Sequence, residues 1–140
     1  MSHTYWTHFE HRADVGIQGV GPDPGKAFAQ AGLALMAIMC ELDCIRIQSS
    51  RNLECTGQDQ EMLFFDFINE LIYLVSAEGY VFADLQVHIQ NQGLKAKAWG
   101  ESLDHSRHQI GVEVKGASFN NLKVFQNEQG LYLAQCIVDV

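Results

Sequence analysis

Two segments of the chain repeat apolar residues at helical spacing, and the first of them follows residues that suit the start of a helix. In the first, apolar side chains recur after Asp23-Pro24 at Phe28, Ala31, Leu35 and Ile38. Aspartate can accept hydrogen bonds from the free N–H groups of a first turn, and proline suits the first helical position. The pattern therefore predicts a helix that begins at Asp23-Pro24 and buries one face.

The second segment, from about Asp59 to Ala77, carries larger apolar side chains. Its stripe consists of Leu63, Phe67, Leu71 and Leu74, widened by Phe64, Ile68 and Val75. Gly79 follows, at the place where a glycine in the left-handed conformation commonly ends a helix. We predict a second helix here, and we expect both stripes to form hydrophobic core rather than a cofactor site.

Elsewhere apolar and polar residues alternate, as is typical of strands with one buried face. The clearest run has its apolar face at Ala83, Leu85, Val87 and Ile89. A turn signal follows at Asn91-Gln92-Gly93. The alternation then resumes at Leu94, Ala96 and Ala98. Shorter runs predict strands at 131–139 and at 112–115, the latter with Val112 and Val114 on one face and Glu113 and Lys115 on the other.

Three segments are less regular. We expect a strand or hairpin between Cys44 and Cys55, and a strand broken near Asp14-Val15-Gly16 between Phe9 and Gly19. Gly19-Val20-Gly21 precedes a proline and is expected to be a turn. The order β-α-β-α followed by a run of strands predicts an α+β fold. We expect one domain over residues 1–140, with a largely antiparallel β-sheet and two helices packed on one face.

The balance of charge separates the classes of partner. The chain has 9 basic and 17 acidic side chains, a formal net charge of -8. Proteins that bind nucleic acids gain affinity when Lys and Arg neutralise phosphates, so we predict no tight direct binding to RNA. An acidic surface instead favours a basic protein partner or cations.

Targeting signals are not evident in the sequence. The start, Met1 to Thr7, lacks the basic region and apolar run of a secretory signal. The best apolar stretch, Leu33 to Cys40, is far shorter than the roughly 20 residues that span a bilayer. The sequence therefore predicts a cytoplasmic protein that does not contact a membrane.

Familiar catalytic motifs are also missing, since there is neither a serine nucleophile elbow nor a phosphate loop. Glu101 and Asp104 could form an acid/base pair, but a polar loop between strands is the simpler interpretation. His105 and His108 lie in a charged stretch, where we expect exposed side chains. The cysteines lack C-x-x-C spacing, and we expect buried, reduced thiols at Cys40, Cys44, Cys55 and Cys136.

Three carboxylates stand out as candidate metal ligands. Asp14 lies where the chain is expected to turn, Asp139 ends an apolar strand, and Val140 supplies a terminal carboxylate. Hard oxygen ligands of this kind can hold Ca²⁺, Mg²⁺ or Mn²⁺. The alternative is that Asp14 caps a turn through its side chain and Asp139 is solvated.

The chain resembles the archease family along nearly its whole length. The opening Phe9-Glu10-His11-Arg12-Ala13-Asp14-Val15-Gly16-Ile17 is similar to a family signature in which H-T-A-D is usual. Gly100-Glu101, His108 and Glu113-Val114-Lys115 resemble a second signature. The family usually continues it as A-V-T-Y-H, whereas this chain has Gly116-Ala117-Ser118-Phe119-Asn120. The ending Ile137-Val138-Asp139-Val140 is similar to the family's acidic terminus.

The resemblance implies an activator rather than an enzyme. Archeases assist the RtcB-type, GTP-dependent RNA ligase that acts in tRNA splicing and RNA repair. They promote transfer of GMP from GTP to the active-site histidine of the ligase and so support multiple turnover. The family's divalent metal site, carried over residue by residue, corresponds to Asp14, Asp139 and Val140, and Lys115 is a further functional candidate by position.

Two other functions remain open from the sequence. One is a chaperone or modulator of an RNA-modifying enzyme such as a methyltransferase, an activity also associated with the resemblance. The other is an independent metal-dependent hydrolase that would use Asp14 and Glu101. The first would protect a client protein without any dependence on GTP, and the second would need a nucleophile or base that the sequence does not reveal.

Overall fold

The computed structural model describes residues 3–140, which form two α-helices and eight strands. The helices are α1 (Pro24–Met39) and α2 (Gln60–Ser76), and a single 3₁₀ turn covers Leu42–Cys44. The strands are β1 (Tyr5–His11), β2 (Asp14–Gly21), β3 (Ser49–Thr56), β4 (Tyr80–Gln90), β5 (Gly93–Ser102), β6 (Gly116–Ala117), β7 (Lys123–Gln126) and β8 (Tyr132–Asp139).

All strand pairs are antiparallel, and the strands divide between two sheets. The larger sheet has the order β1-β2-β8-β6, with β7 also paired to β8, and the smaller has the order β3-β5-β4. The predicted α+β fold, with two helices and antiparallel strands, is confirmed. Alternation shows which side chains of a strand are buried but not which strands pair, so the division into two sheets was not visible in the sequence.

Helix α1 contacts strands of both sheets, chiefly β2 in the larger and β4 in the smaller. Its start is the predicted one, since the Asp23 side chain accepts a hydrogen bond of 2.9 Å from the Lys26 N–H. The helix surface that faces the two sheets consists of small side chains and Phe28. Ala27, Ala31 and Phe28 are fully buried there. The helix therefore joins the two sheets through one shared hydrophobic core.

Helix α2 buries its apolar stripe as the sequence predicts, and the structure adds an N-terminal cap at Asp59. The Asp59 carboxylate accepts from the Glu61 and Met62 N–H groups at 2.9 and 3.3 Å. The ring of Phe28 on α1 lies 5.0 Å from that of Phe64 and 6.1 Å from that of Phe67. Gly79 follows the helix with φ of 61°, in the left-handed region. These aromatic contacts connect the two helices within the core.

Several local predictions are wrong. Gly19-Val20-Gly21 is not a turn but the last part of β2. Residues 112–115 form no strand, and Val112 is 40% exposed although Val114 is buried. The break between the first two strands lies at Arg12-Ala13, just before the predicted Asp14-Val15-Gly16, which belongs to β2. Of the strand or hairpin expected between Cys44 and Cys55, the structure forms one strand, Ser49–Thr56.

Gly19 is glycine because β2 lies directly against α1. A Cβ atom at this position would stand 2.0 Å from the Ala27 carbonyl oxygen and 2.3 Å from the Ala31 nitrogen. Both are backbone atoms of the helix, and neither can rotate away. The close approach of strand and helix therefore requires the absence of a side chain.

Among residues 3–140, neither helix combines the length and the apolar character that a membrane-spanning helix needs.

We expect Gly19→Ala to lower the free energy of unfolding by about 2–3 kcal/mol, because the added methyl group must displace helix backbone. Chemical denaturation followed by circular dichroism measures the change. Gly111→Ala is the matched control, since a Cβ there meets nothing within 4 Å. Equal stability of the two variants would mean that β2 does not depend on this close approach to α1.

Candidate functional site

Asp14 is the first residue of β2, directly after the turn that joins it to β1. The turn is tight, since His11 and Asp14 face each other in the ladder and Arg12 adopts a φ of 57°. The Asp14 carboxylate does not cap this turn. Its Oδ1 atom instead accepts a hydrogen bond of 3.3 Å from the N–H of Val140, at the other end of the chain.

Asp14 and Asp139 lie on neighbouring strands at matching positions. The β2–β8 register pairs Val15 with Val138, so its continuation brings Asp14 opposite Asp139. Opposite residues of an antiparallel pair point to the same face, with Cβ atoms about 4.5–5.5 Å apart. Further along the same face the side chains of Gln18 and Gln135 are joined by a hydrogen bond of 2.8 Å. Two carboxylates are therefore held side by side at the end of the larger sheet.

Lys115 lies at the same end of the sheet. Its backbone N–H donates to the Asp139 carbonyl oxygen at 2.8 Å, and the next residue, Gly116, pairs with Asp139 in the β6–β8 ladder. The Lys115 side chain is exposed and that of Val114 is buried, as predicted, although the backbone here is not a strand. The structure thus brings together all four candidate residues, Asp14, Asp139, Val140 and Lys115.

The donor set has the chemistry of a site for a hard cation. Asp14 and Asp139 supply carboxylate oxygens, which suit Ca²⁺, Mg²⁺ or Mn²⁺. Within residues 3–140 no group of three or more His, Cys, Asp or Glu side chains is arranged to hold a metal ion. A third protein ligand would accordingly come from main-chain oxygen or from the carboxylate of Val140. The residues fit a cation that keeps open positions for water or for a partner's groups.

A buried ionic cluster at the end of β5 was not expected. Glu101 is 3% exposed and His108 fully buried, so the prediction of a polar loop with exposed histidine is wrong for both. Arg107 Nη2 donates to Glu101 Oε1 at 2.6 Å, whereas His108 Nε2 lies 2.7 Å from Glu101 Oε2. The Arg46 backbone N–H also donates to Oε2, at 2.8 Å. Both carboxylate oxygens of Glu101 are therefore occupied.

The hydrogen bonds of His108 identify its tautomer. Its Nδ1 atom accepts from the Asp104 backbone N–H at 2.9 Å, so Nδ1 carries no proton. The ring proton is then on Nε2 and is donated to Glu101. Asp104 itself turns outward and accepts from the Ser106 hydroxyl at 2.6 Å. Glu101 and Asp104 are thus not an acid/base pair facing one substrate.

Charge partners shift the pKa of Glu101. The hydrogen bond from Arg107, helped by those from the Arg46 backbone and His108 and by the charge of Arg107, lowers it from 4.5 to about 2, although desolvation raises it. The same hydrogen bond raises the pKa of the Arg107 guanidinium. Because Arg107 Nη1 also donates to the Cys44 carbonyl oxygen at 3.1 Å, the cluster ties the segment after β5 to the segment after α1. Its role in the fold is structural.

This ionic cluster is separate from the candidate site. Glu101 belongs to the smaller sheet and Asp14 to the larger, and Glu101 has no free carboxylate oxygen. The structure therefore gives no support to a hydrolase that would use these two carboxylates together. The signal that marks the cluster in the sequence is the Gly100-Glu101 pair followed by His108, which was assigned to a family signature but not to the interior.

The cysteines are all free thiols. Cys40, Cys55 and Cys136 are buried as predicted, whereas Cys44 is exposed, contrary to the prediction. Burial raises the pKa of the Cys55 thiol to about 11 and that of Cys136 to about 12. These two stay protonated at neutral pH and act as apolar side chains.

The sequence profile of the archease protein family matches residues 6–140. The chain belongs to the archease family. The match includes the whole candidate site and confirms the resemblance found in the sequence. Family membership does not by itself assign ligands to Asp14, Asp139 or Val140, and their role as metal ligands stays a prediction.

Relatives in the archease family cover nearly the full chain. The archease of Pyrococcus abyssi is 34% identical over 139 residues, which are 96% of this chain and 98% of that protein. An archease-like protein of Drosophila melanogaster is 32% identical over 140 residues, 96% of this chain and 90% of that protein. The family therefore includes both archaeal and animal proteins of similar length.

Two solved structures have the same fold. Protein 1598 of Methanobacterium thermoautotrophicum matches with a TM-score of 0.80 and 23% identity over 100% of both chains. A Thermotoga maritima archease, described as a possible chaperone, matches with a TM-score of 0.61 and 18% identity over 94% of both chains. At these identities the likeness supports the arrangement of helices and strands.

The lowered pKa of Glu101 predicts a dependence of stability on pH. Its ionised form is favoured by the fold, so the stabilisation is complete above pH 4.5 and is lost as the pH falls toward about 2. We expect Glu101→Gln to melt several degrees lower at neutral pH and to lose less stability than the wild type on acidification. Melting temperatures measured from pH 7 to pH 3 test this. The exposed Glu128, replaced by Gln, is the control, and an equal pH dependence in Glu101→Gln and wild type would contradict the assignment.

Proposed function

We propose that this protein activates an RtcB-type, GTP-dependent RNA ligase in the cytoplasm, in tRNA splicing and RNA repair. In this proposal it promotes the transfer of GMP from GTP to the active-site histidine of the ligase, and so lets the ligase complete many turnovers. Membership of the archease family supports it. The protein itself would join no RNA.

The observation that carries the proposal is the convergence of four residues at one end of the larger sheet. Asp14 and Asp139 stand opposite each other, the N–H of Val140 is bound to Asp14, and Lys115 is bound to Asp139. The four residues come from three segments that are far apart in sequence, since only Asp139 and Val140 are neighbours. Their grouping is what a cation site that serves a partner's phosphate chemistry would need.

The side chains of the site have distinct roles in this proposal. A bound divalent cation would polarise phosphoryl oxygens of a triphosphate. Asp14 and Asp139 would hold it, with the Val140 carboxylate as a third ligand. The hydrogen bond from the Val140 N–H to Asp14 joins the end of β8 to β2, which supports a site that would already be formed before the partner binds. The ammonium group of Lys115 would meet a nucleotide phosphate or a carboxylate of the ligase.

Charge supports a basic protein partner rather than RNA. A net charge of -8 would repel a phosphate backbone, whereas it would speed the encounter with a ligase whose RNA-binding surface is basic. We propose no tight direct binding of RNA by this protein alone. Two routes of activation are compatible with this docking. The protein would either deliver a cation to the ligase or shift the ligase toward a conformation that is competent for guanylylation.

A second candidate function is a chaperone or modulator of an RNA-modifying enzyme such as a methyltransferase. The description of the Thermotoga maritima protein as a possible chaperone favours it. It differs from the first in one measurable respect, because protection of a client from aggregation would need no GTP. An aggregation assay without nucleotide separates the two functions.

The central test is a guanylylation time course of the cognate ligase with and without a substoichiometric amount of this protein. We expect many turnovers with the wild type and less than about a tenth of that stimulation with Asp14→Ala, because one carboxylate ligand is lost. The melting temperature should change little, since Asp14 is not part of the core. Asp23→Ala, which removes a carboxylate that caps α1, controls for general loss of an acidic side chain. Full stimulation by Asp14→Ala would remove the cation from the mechanism.

Lys115→Ala should weaken the stimulation of guanylylation by about threefold or more, because an exposed charge beside the two carboxylates would no longer meet the partner or nucleotide. The rate is measured over a range of activator concentrations at two salt concentrations. Lys95→Ala, an exposed lysine of β5 in the smaller sheet, is the matched control. If both variants behave as the wild type, Lys115 is an ordinary solvated side chain.

A further inference from the structure

Exposed apolar side chains gather on the outer surface of α2. Met62 and Tyr73 of the helix are 41% and 57% exposed. Phe119, from the chain after β6, packs on the helix and is 63% exposed. Together with the half-buried Phe65 we call these residues the α2 strip. Met62 and Tyr73 are 11 residues apart, which corresponds to about 16 Å along the helix axis. Large apolar side chains in such a row are typical of an interaction surface.

Phe119 is held in place by contacts between α2 and the chain that follows β5. Its ring stacks on that of Phe65, with centroids 4.4 Å apart and planes 9° apart. On one side of this stack the Val124 N–H donates to Glu61 at 3.4 Å, and on the other the Ala117 N–H donates to Asn69 at 3.1 Å. One face of the ring is therefore fixed against the helix while the rest remains open to a partner.

An acidic edge runs beside the strip. Helical periodicity places Asp66 and Glu70 next to Met62 and Tyr73, on the side away from Phe65. Both carboxylates are exposed, and within residues 3–140 neither forms an ion pair with a basic side chain. Apolar side chains flanked by unpaired negative charge are complementary to an apolar side chain flanked by Lys or Arg.

The strip continues directly into the candidate site. Gly116 and Ala117 pair with Asp139 and Val138 of β8, and Phe119 follows two residues later. A partner that covers Phe119 would thus reach Asp139 and Lys115 without leaving the surface. The segment 116–120, which departs from the usual family pattern, is the one that links the two.

We infer that the α2 strip is the docking surface for the ligase, and that it takes a segment of the ligase with an exposed aliphatic or aromatic side chain between basic residues. The inference rests on the proposed function. A second copy of this chain is a poor occupant, because two identical acidic edges would face each other and repel. The apolar strip would supply the affinity, and the acidic edge would set the charge of the segment that binds.

Two quantities test the inference: the Kd of the complex between the purified ligase and this protein, and the protein concentration that gives half-maximal stimulation of guanylylation. We expect Phe119→Ser to raise both about tenfold, since a central aromatic contact is lost. The maximal rate should stay unchanged, because the candidate site is intact. Phe119→Tyr should behave as the wild type. Ile47→Ser removes a side chain that is 54% exposed outside the strip and should have no effect.

The acidic edge is tested separately with the double variant Asp66→Asn, Glu70→Gln. At low salt this variant should bind the ligase more weakly than the wild type does. Its affinity for the ligase should also depend less on ionic strength. Thermal unfolding of all variants should match the wild type, because the replaced side chains are exposed.

The outcomes separate this inference from the proposed function. If the wild type stimulates the ligase and Phe119→Ser is equally effective at equal concentration, the docking surface is wrong and the function stands. If the wild type binds the ligase with an affinity that depends on Phe119 but leaves guanylylation unchanged, the proposed activation is wrong and the docking surface stands. Absence of any binding by the wild type would overturn both, and self-association lost in Phe119→Ser would assign the strip to a second copy.

Discussion

The close contact of α1 with strands of both sheets is the constraint on which the rest of the molecule depends. β2 approaches the helix at Gly19, where a Cβ would meet helix backbone at 2.0 Å. β4 approaches it at Gly25, where a Cβ would lie 2.5 Å from the Val87 carbonyl oxygen. With both sheets fixed to one helix, neither can shift along it without a clash. The relative positions of the two sheets are therefore set by packing and not by their loops.

The contact of α1 with the two sheets also determines the geometry of the candidate site. Because β2 is fixed against α1 and β8 pairs along β2, the register of the two strands determines that Asp14 faces Asp139. Lys115 joins them through a hydrogen bond to β8, and the Glu101 cluster anchors the start of the connection that carries Lys115. Asp14 and Asp139 lie on paired strands, and Lys115, at the end of the irregular connection between β5 and β6, is fixed to β8 by its backbone hydrogen bond to Asp139.

Local features were predictable from the sequence, and long-range pairing was not. Both helices follow from their apolar periodicity, and the start of α1 follows also from Asp23-Pro24, which are properties of neighbouring residues. The candidate residues were found through single-residue chemistry and a resemblance, but their proximity depends on strand pairing across more than 100 positions, which alternation does not encode. Gly19 was assigned to a turn because a glycine pair followed by proline is a local turn signal. The structure shows that the absence of a side chain there serves helix packing.

The same reasoning explains why His108 and Glu101 were misplaced. A charged stretch is usually solvated, and burial becomes favourable only when every polar atom finds a partner. Arg107 and the backbone of Asp104 lie in the same short segment as Glu101 and His108, whereas the backbone N–H of Arg46 comes from the segment after α1. The cost of burying one carboxylate is thus offset by a network whose local members are visible in the sequence, but whose turn geometry and contact with Arg46 are not.

The position of β8 has a consequence for how the molecule is made. β8 is the last strand of the described chain, yet it lies inside the larger sheet and pairs with β2, β6 and β7. During synthesis from the N-terminus, the edge of β2 that later pairs with β8 stays unpaired until residues 132–139 have left the ribosome. The core around α1 can begin to form earlier, but Asp14 has no neighbour on β8 before that moment. The candidate site therefore forms only after β8 has been made, and until then a growing chain carries an open sheet edge that a cell must protect.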